Sequence, residues 1–435
     1  MAAQAQTSQN IGLISATTMS LSGMMGSGLF TVLGYANLTS GAHFPSAFLL
    51  AGIAVFFTVY SCAKMSAAFP VSGGPAGYIV SAYGNGFIAG WMNLFFYLGF
   101  LISTALYAAG FSEFITVLTG NFFNALELKL IGAALVMLFT LLNLLGAKVV
   151  GLAGSIAIGL VLLTLLSFSG IGITQLDFKN LTFLGGSFEG IVIATGMLYV
   201  NYQGFAVVSS AASSMANPKK TIPQSMFIAV TLIICLYVLV SWIAIQITPL
   251  ATIQADPSNM LGSAANIIAG KTGFIGIGLA ALLACAAAVN ATIFTASKVL
   301  GVVVQEHAQM TWLSKAIGQN RIRPLLISAS MVIALVLGFP LEIVGKMASM
   351  AFLILFGVIS FGHLRIRQQT GAQAWVIWCG VLINLSLLAF LLINGLKTDP
   401  SGVIALFIGL LVTFMIQVKY HFINARSKLT TKALQ

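Results

Sequence analysis

The chain has 435 residues, of which 59% are hydrophobic and only 6% charged, and its mean hydropathy is +1.03. A soluble domain carries about 25% charged residues, so these numbers exclude one and leave a polytopic membrane protein. The formal net charge of +11 needs an account, and the distribution of the charges along the chain supplies it.

Residues 1–10, MAAQAQTSQN, have no basic region and no cleavage signal, so a cytoplasmic tail is expected there rather than a removable signal peptide. About 20 apolar residues span the hydrocarbon. By that measure the chain reads as twelve transmembrane helices at roughly 11–35, 46–69, 86–112, 128–146, 148–173, 188–212, 224–247, 273–303, 324–340, 343–363, 374–395 and 401–424. A second tail, 425–435, follows. The runs do not alternate apolar and polar residues as a β-barrel would. Cys62, Cys235, Cys285 and Cys379 all sit inside apolar runs and read as free, small hydrophobes.

With both termini cytoplasmic, fourteen of the nineteen basic residues fall on the inner side; Lys129, Lys179, Lys271, Lys346 and Lys397 fall outside. Cytoplasmic loops carry the excess of Lys and Arg. The acids are distributed the other way. Only Glu306 is inside, while Glu113, Glu127, Asp177, Glu189, Asp256, Glu342 and Asp399 lie outside or near outer ends. The positive charge is therefore topological and implies no nucleic-acid partner.

Two spans are soft in the middle. The first carries SGMMGSGLF, Ser22 to Phe30, with three glycines in six positions, each weakening a helix by roughly 1 kcal/mol relative to alanine. The sixth carries GMLYVNYQGFAVVSS, with Asn201, Gln203 and Gly204 amid apolar residues. Each soft helix opens a block of five spans, 11–173 and 188–363, leaving 374–424 as an additional pair. An odd block length makes the second block enter from the opposite side, as in inverted repeats whose broken helices form a midplane site. Irregular backbone is tolerated at membrane depth only where it is buried in protein or lines a cavity. Freed N–H groups suit a carboxylate and freed carbonyls suit an ammonium. GFIAG, Gly86 to Gly90, reads instead as helix packing.

These stretches resemble the amino acid–polyamine–organocation (APC) transporters. GLISATTMSLSGMMGSGLF is similar to that family's unwound first helix, and YSCAKMSAAFPVSGGPAGYI, residues 60–79, to its second helix and P-x-x-G-G loop. YQGFAVVSSAASSMANPKKTIPQSM, residues 202–226, resembles the sixth helix and its N-P-x-[KR] loop; AVNATIFTASKVLGVVVQ, residues 288–305, resembles the eighth. The resemblance implies an all-α, LeuT-type fold with a 5+5 inverted repeat plus two C-terminal helices. It also implies secondary transport of amino acids or related amines. Two departures stand out. Residues 190–218 contain no acid, with Ala206, Ser213 and Ala216 where relatives often carry Glu. Residues 149–178 contain no lysine, and Val161 stands where some proton-coupled relatives have one.

The expected binding residues are Ser22, Gly23, Gly26, Ser27 and Gly28 on one side and Tyr199, Asn201, Tyr202, Gln203 and Gly204 on the other. The sequence leaves open which of the second five point inward. Phe205 reads as a gate or as packing. Asn93, Tyr97 and Asn290 read as second-layer residues or as interhelical hydrogen-bond partners, the latter preferred. His43, His307, His363 and His421 all read as lying near loops, with no cluster to hold a metal. No cofactor or metal is expected, and no catalytic pair at membrane depth marks an enzyme.

A cationic substrate at the midplane would need a buried counter-ion, and none stands near either break. The expectation is a carrier of neutral amino acids in a bacterial inner membrane, working by alternating access with exchange. Proton-coupled symport and cationic amino acid or polyamine substrates are the alternatives, and a channel is the rival class. The oligomeric state is left open.

Overall fold

The structure, a computed structural model, describes residues 11–26, 28–41, 44–70, 74–120, 122–144, 147–176, 187–306 and 322–433. Ser27, His43, Asp177, Lys179, His307, Lys315 and Arg321, together with the tail at 1–10, lie outside the described residues.

Every element among the described residues is helical. In chain order they are α1 (Leu13–Met24), a wide π turn (Gly28–Val32), α2 (Leu33–Ser40), α3 (Phe44–Ala68), α4 (Pro75–Tyr83), α5 (Phe87–Thr119), α6 (Ala125–Leu144) and α7 (Ala147–Thr174). Then come α8 (Phe188–Leu198), a 3₁₀ segment (Tyr199–Ser214), α9 (Pro218–Ile247), α10 (Leu250–Ala255) and a 3₁₀ turn (Pro257–Asn259). The last five are α11 (Met260–Glu306), α12 (Ile322–Gly338), α13 (Leu341–Thr370), α14 (Ala374–Thr398) and α15 (Ser401–Ala433). α11 is two helices joined at Ala269 and Gly270, where Gly270 takes φ +60°, a left-handed conformation that glycine adopts without a Cβ penalty.

Ten helical stretches among the described residues are long and apolar enough to cross a membrane. The other two expected spans are the first, which is in pieces, and Ile322–Gly338, which has 17 residues. The helices overrun the apolar stretches that mark them. α5 continues to Thr119, and α13 runs through Arg365 and Arg367 to a left-handed cap at Gly371. Hydropathy reports the lipid-facing length, whereas backbone hydrogen bonding carries a helix on into the polar zone.

Burial sorts the helices into a centre and a periphery. The most apolar windows of α5 and of the α8–3₁₀ stretch are each 83% buried, against 22% for α6 and 28% for α15. α5 packs most extensively on α11. The alanine run ALLACAAAVNA of α11 lets the two backbones approach, as small residues do between membrane helices.

The neighbours form matched pairs. α3 packs on α9, α5 on α11 and α6 on α12. α1 packs on α9 and on α7, while the α8–3₁₀ stretch packs on α3 and on α13. α7 packs on α11, and α13 on α5. Exchanging the first five expected spans with the next five turns each of these contacts into another that is also present.

The tightest contact in the centre is between α1 and the 3₁₀ segment. Gly204 lies directly on the Gly23 carbonyl and the Met24 nitrogen, so a Cβ there would strike backbone that cannot rotate away. Gly159 in α7 has nothing within 4 Å of a Cβ position. Overpacking costs about 1–3 kcal/mol. Gly204→Ala is therefore expected to lower the thermal unfolding temperature of the detergent-solubilised protein by several degrees, and Gly159→Ala to leave it within about one degree. Equal curves for both would mean that the two segments are not in contact.

Candidate functional site

The first helix gives way where its glycines cluster. α1 makes its last regular bond from Met25 N–H to Leu21 O, and Met25 then leaves helical geometry at φ −82°, ψ 54°. Helical structure resumes at Gly28 in the wide turn. A helix end leaves its last carbonyls without partners, and here two tyrosines take them. Tyr107 of α5 donates to Gly23 O (3.4 Å), and Tyr237 of α9 donates to Met24 O (2.9 Å). Both tyrosines are fully buried.

The second break takes another form. Sequence reading expects an unwound stretch at Tyr199–Gly204; the chain instead tightens into 3₁₀ geometry and stays so through Ser214. Runs of 3₁₀ helix beyond three or four residues are uncommon and mark hinges or strain. Three residues per turn set the faces. Asn201, Gly204 and Val207 share one face and meet α1: Asn201 lies on Gly28, and Gly204 and Val207 lie on Gly23. Gln203 faces α5, donating to Ser103 Oγ (2.6 Å) and to the Tyr107 hydroxyl (3.1 Å).

The two segments run antiparallel. Ile11 N–H donates to Ser214 O (3.3 Å) and Ser20 Oγ to Phe205 O (3.1 Å), ahead of the Gly23–Gly204 and Gly28–Asn201 contacts. Numbers rise on one side as they fall on the other.

Near the break in α1, Asn201 and Gln203 carry polar atoms without a partner. Asn201 is 2% exposed, and both its Oδ1 and its Nδ2 are unpaired; Gln203 is 1% exposed with Oε1 unpaired. Each such group costs about 1–3 kcal/mol. The Asn201 pair lies on Gly28, and the Gln203 amide lies on the α5 side, at Ser103 and Tyr107.

The structure thus brings together Gly23, Gly26, Gly28, Asn201, Gln203 and Gly204. Gly26 lies against the Tyr107 ring. Ser22 is buried at the end of α1, and Ser27 lies outside the described residues. Tyr199 and Tyr202 point elsewhere. Tyr199 shares a hydrogen bond with Thr58 of α3 (3.2 Å), and Tyr202 donates to Phe48 O (2.9 Å). A 3.6-residue period hides this division and a period of three exposes it. Phe205 stacks on Phe356 of α13, with ring centroids 5.1 Å apart.

The second-layer candidates serve as helix ties. Tyr97 bonds Ser328 of α12 (3.0 Å), and Asn290 accepts from Asn143 of α6 (2.8 Å). Asn93 is fully buried in α5, about 15 Å along the axis from Ser103 at 1.5 Å per residue. His363, expected near a loop, is fully buried in α13 with its Nε2 2.8 Å from the Thr370 hydroxyl. The helix carries it inward because α13 outruns its apolar stretch.

Sequence reasoning missed Ser103, Tyr107 and Tyr237. A signal for two of them was present: Ser103 is the central residue of Phe87–Thr119, and Tyr107 follows one turn later. Tyr237 is a lone hydroxyl in the apolar run IICLYVLV.

The fold defines a multi-pass helical membrane protein in which two interrupted segments meet at glycines. Residues 11–417 match the family model described as amino acid permease, and the chain belongs to that family. It is a membrane transporter of amino acids. It is 24% identical over 447 residues to a branched-chain amino acid permease, BcaP, of Bacillus subtilis, covering 96% of this chain and 94% of that one. It is 23% identical over 377 residues to the inner membrane transport protein YbaT of Escherichia coli, covering 86% and 88%. An uncharacterised protein of Methanocaldococcus jannaschii is 26% identical over 409 residues, covering 93% and 94%.

If Asn201 served the fold, its loss would destabilise. Its amide is unpaired, and replacing an unpaired buried polar group by an apolar one of similar shape removes a cost. Asn201→Leu is therefore expected to unfold at or above the wild-type temperature. A drop of several degrees in a thermal melt would make Asn201 a structural residue.

Proposed function

We propose that this chain carries neutral amino acids by alternating access and binds the amino acid's ammonium and carboxylate groups where α1 is interrupted. The observation that carries this reading is the unpaired, buried amide of Asn201 on Gly28. A group left without partners at such cost is retained for a partner that comes and goes.

The chemistry of the break fits a zwitterion. The end of α1 presents carbonyls and a partial negative charge, and the turn beginning at Gly28 presents N–H groups and a partial positive charge. Both signs occur within a few residues. Asn201 can donate and accept, and Gln203 Oε1 can accept. Glycines at 23, 26, 28 and 204 keep Cβ atoms from separating the ligand from the peptide groups.

The substrate is neutral. No acid occurs on α1, the π turn or the 3₁₀ segment. On α5, Glu113 is ten residues from Ser103, about 15 Å along the axis. A cationic side chain in the centre would be unpaired. The Bacillus subtilis relative named for branched-chain amino acids supports an apolar neutral substrate.

The matched helix contacts support a 5+5 inverted repeat, 11–173 and 188–363, with α14 and α15 added. The antiparallel course of α1 and the 3₁₀ segment supports opposite entry of the two blocks. The basic residues support cytoplasmic termini, and the relative named as an inner membrane protein supports that location. Exchange is the proposed mode. The hydroxyls of Thr104 and Thr292 lie 2.9 Å apart and occupy one another, and α7 carries no lysine within its 149–174 stretch.

Uptake by proteoliposomes tests the reading. Saturable uptake of leucine, isoleucine, valine or another neutral amino acid is expected, stimulated several-fold by unlabelled substrate inside. Lysine, arginine and polyamines should not compete. Gly26→Leu, which collides with the Tyr107 ring, and Gly28→Leu, which collides with Asn201, should abolish uptake while the protein still reaches the membrane. Wild-type uptake by both variants would remove the site, and competition by lysine would overturn the neutral assignment.

A further inference from the structure

The change from α-helix to 3₁₀ geometry falls between Leu198 and Tyr199, where the Tyr199 N–H bonds Gly196 O, three residues back. Three other helices meet this junction. Ser349 of α13 donates to Met197 O (3.0 Å). Leu391 of α14 lies on Gly196, where a Cβ would come within 2.8 Å of the leucine Cγ. The Tyr199 hydroxyl lies 3.2 Å from Thr58 Oγ1 of α3.

Thr58 is in turn held from α14. Asn384 Nδ2 donates to Thr58 Oγ1 (3.1 Å), and the Asn384 amide also faces the Tyr199 hydroxyl. Thr58, Tyr199 and Asn384 are all fully buried. Asn384 and Leu391 are seven residues apart, close to two helical turns, so they share one face of α14. α14 packs on both α3 and α8. A helix outside the two blocks of five spans therefore reaches the junction from both sides. As a fastening alone, Asn384 is poor. Its Oδ1 has no partner, and a buried amide used by half is less favourable than an apolar side chain of similar shape.

The period of three carries the effect to the centre. Tyr199 and Tyr202 share the face that α3 holds, at Thr58 and at Phe48 O (2.9 Å). Asn201, two residues beyond Tyr199, lies on Gly28. Two residues turn about 240° in a 3₁₀-helix and about 200° in an α-helix, so relaxing the first turn to α geometry would swing Asn201 by about 40° relative to Tyr199. A held Tyr199 hydroxyl keeps that turn, and with it the place of the Asn201 amide against α1.

We propose that Asn384 is a positioning residue for transport: through Thr58 and Tyr199 it fixes the start of the 3₁₀ segment and thereby the Asn201 amide at the interruption of α1. The effect on substrate rests on the binding reading above; the effect on the segment does not.

Hydrogen exchange and uptake of the full chain, in nanodiscs and in proteoliposomes, test this. In Asn384→Leu and Thr58→Val, amide exchange read by mass spectrometry should rise about threefold or more within Tyr199–Gly204 and stay unchanged in α14. Leucine uptake by both variants should show KM raised about fivefold, with the maximal rate within about twofold of wild type. Thr58→Ser, which keeps the hydroxyl, should restore both readouts. Tyr199→Phe should raise KM as far as Asn384→Leu does, and the double variant no further, since the residues act as one chain. If Asn384→Leu fails to reach the membrane, the Thr58 pair decides. A merely structural role would lower the thermal unfolding temperature and speed exchange in α14 with KM unchanged, and that result would overturn the proposal. So would additive KM effects of Asn384→Leu and Tyr199→Phe. Faster exchange at Tyr199–Gly204 in both variants, with no amino acid uptake by wild type, would remove the transport reading and leave the positioning of the segment standing.

Discussion

A peptide group inside a bilayer must have a hydrogen-bond partner, and the centre of this protein is arranged around the few that lose theirs. α1 stops at Met24, and the carbonyls of Gly23 and Met24 would then face hydrocarbon unpaired, at a cost of several kcal/mol each. Tyr107 and Tyr237 remove that cost with hydroxyls from two different helices. The break is thereby a fixed feature held from α5 and α9, and its position is set by where those two tyrosines stand. Tyr107 also accepts from Gln203, so one hydroxyl links the end of α1 to the 3₁₀ segment.

The same region shows why glycine is required on both sides. Gly23 and Gly204 meet backbone to backbone, and any Cβ would force the segments apart. Close approach places the Asn201 amide on Gly28, where no protein group pairs with it. The unpaired amide thus follows from the glycine contact. The 3₁₀ geometry contributes as well, since a repeat of three keeps Asn201, Gly204 and Val207 on the same side for two successive turns, where an α-helix would rotate them away.

Much of the architecture was legible in the sequence, because hydropathy in a membrane protein reports a single strong constraint. Each expected span has a helix at its place, and the soft midpoints fell where regular α-helix ends. The form of the second break was not legible. Asn201, Gln203 and Gly204 mark it as unusual, yet composition does not distinguish an unwound stretch from a tightened one, since both answer the same propensity. The orientation of Tyr199 and Tyr202 followed from that choice and was therefore equally hidden. Tyr97 and Asn290 drew attention as polar residues in apolar helices, but polar residues also tie helices together, and only coordinates separate the two uses. Ser103 and Tyr107 were discoverable by depth: a polar residue at the centre of a long span lies at the level of the breaks, whereas Asn93 and Tyr97 lie toward one end.

Charge placement connects the site to the rest of the molecule. The acids in the described spans stand at or near helix ends, and the central segments use amides, hydroxyls and peptide groups alone. A zwitterion is internally neutral and can be held by dipoles of both signs without a buried counter-ion. A ligand carrying one net charge cannot. Glu113, Glu342 and Asp399 stand instead toward helix ends. Only a molecule that carries its own countercharge enters such a centre without leaving a bare ion in the bilayer.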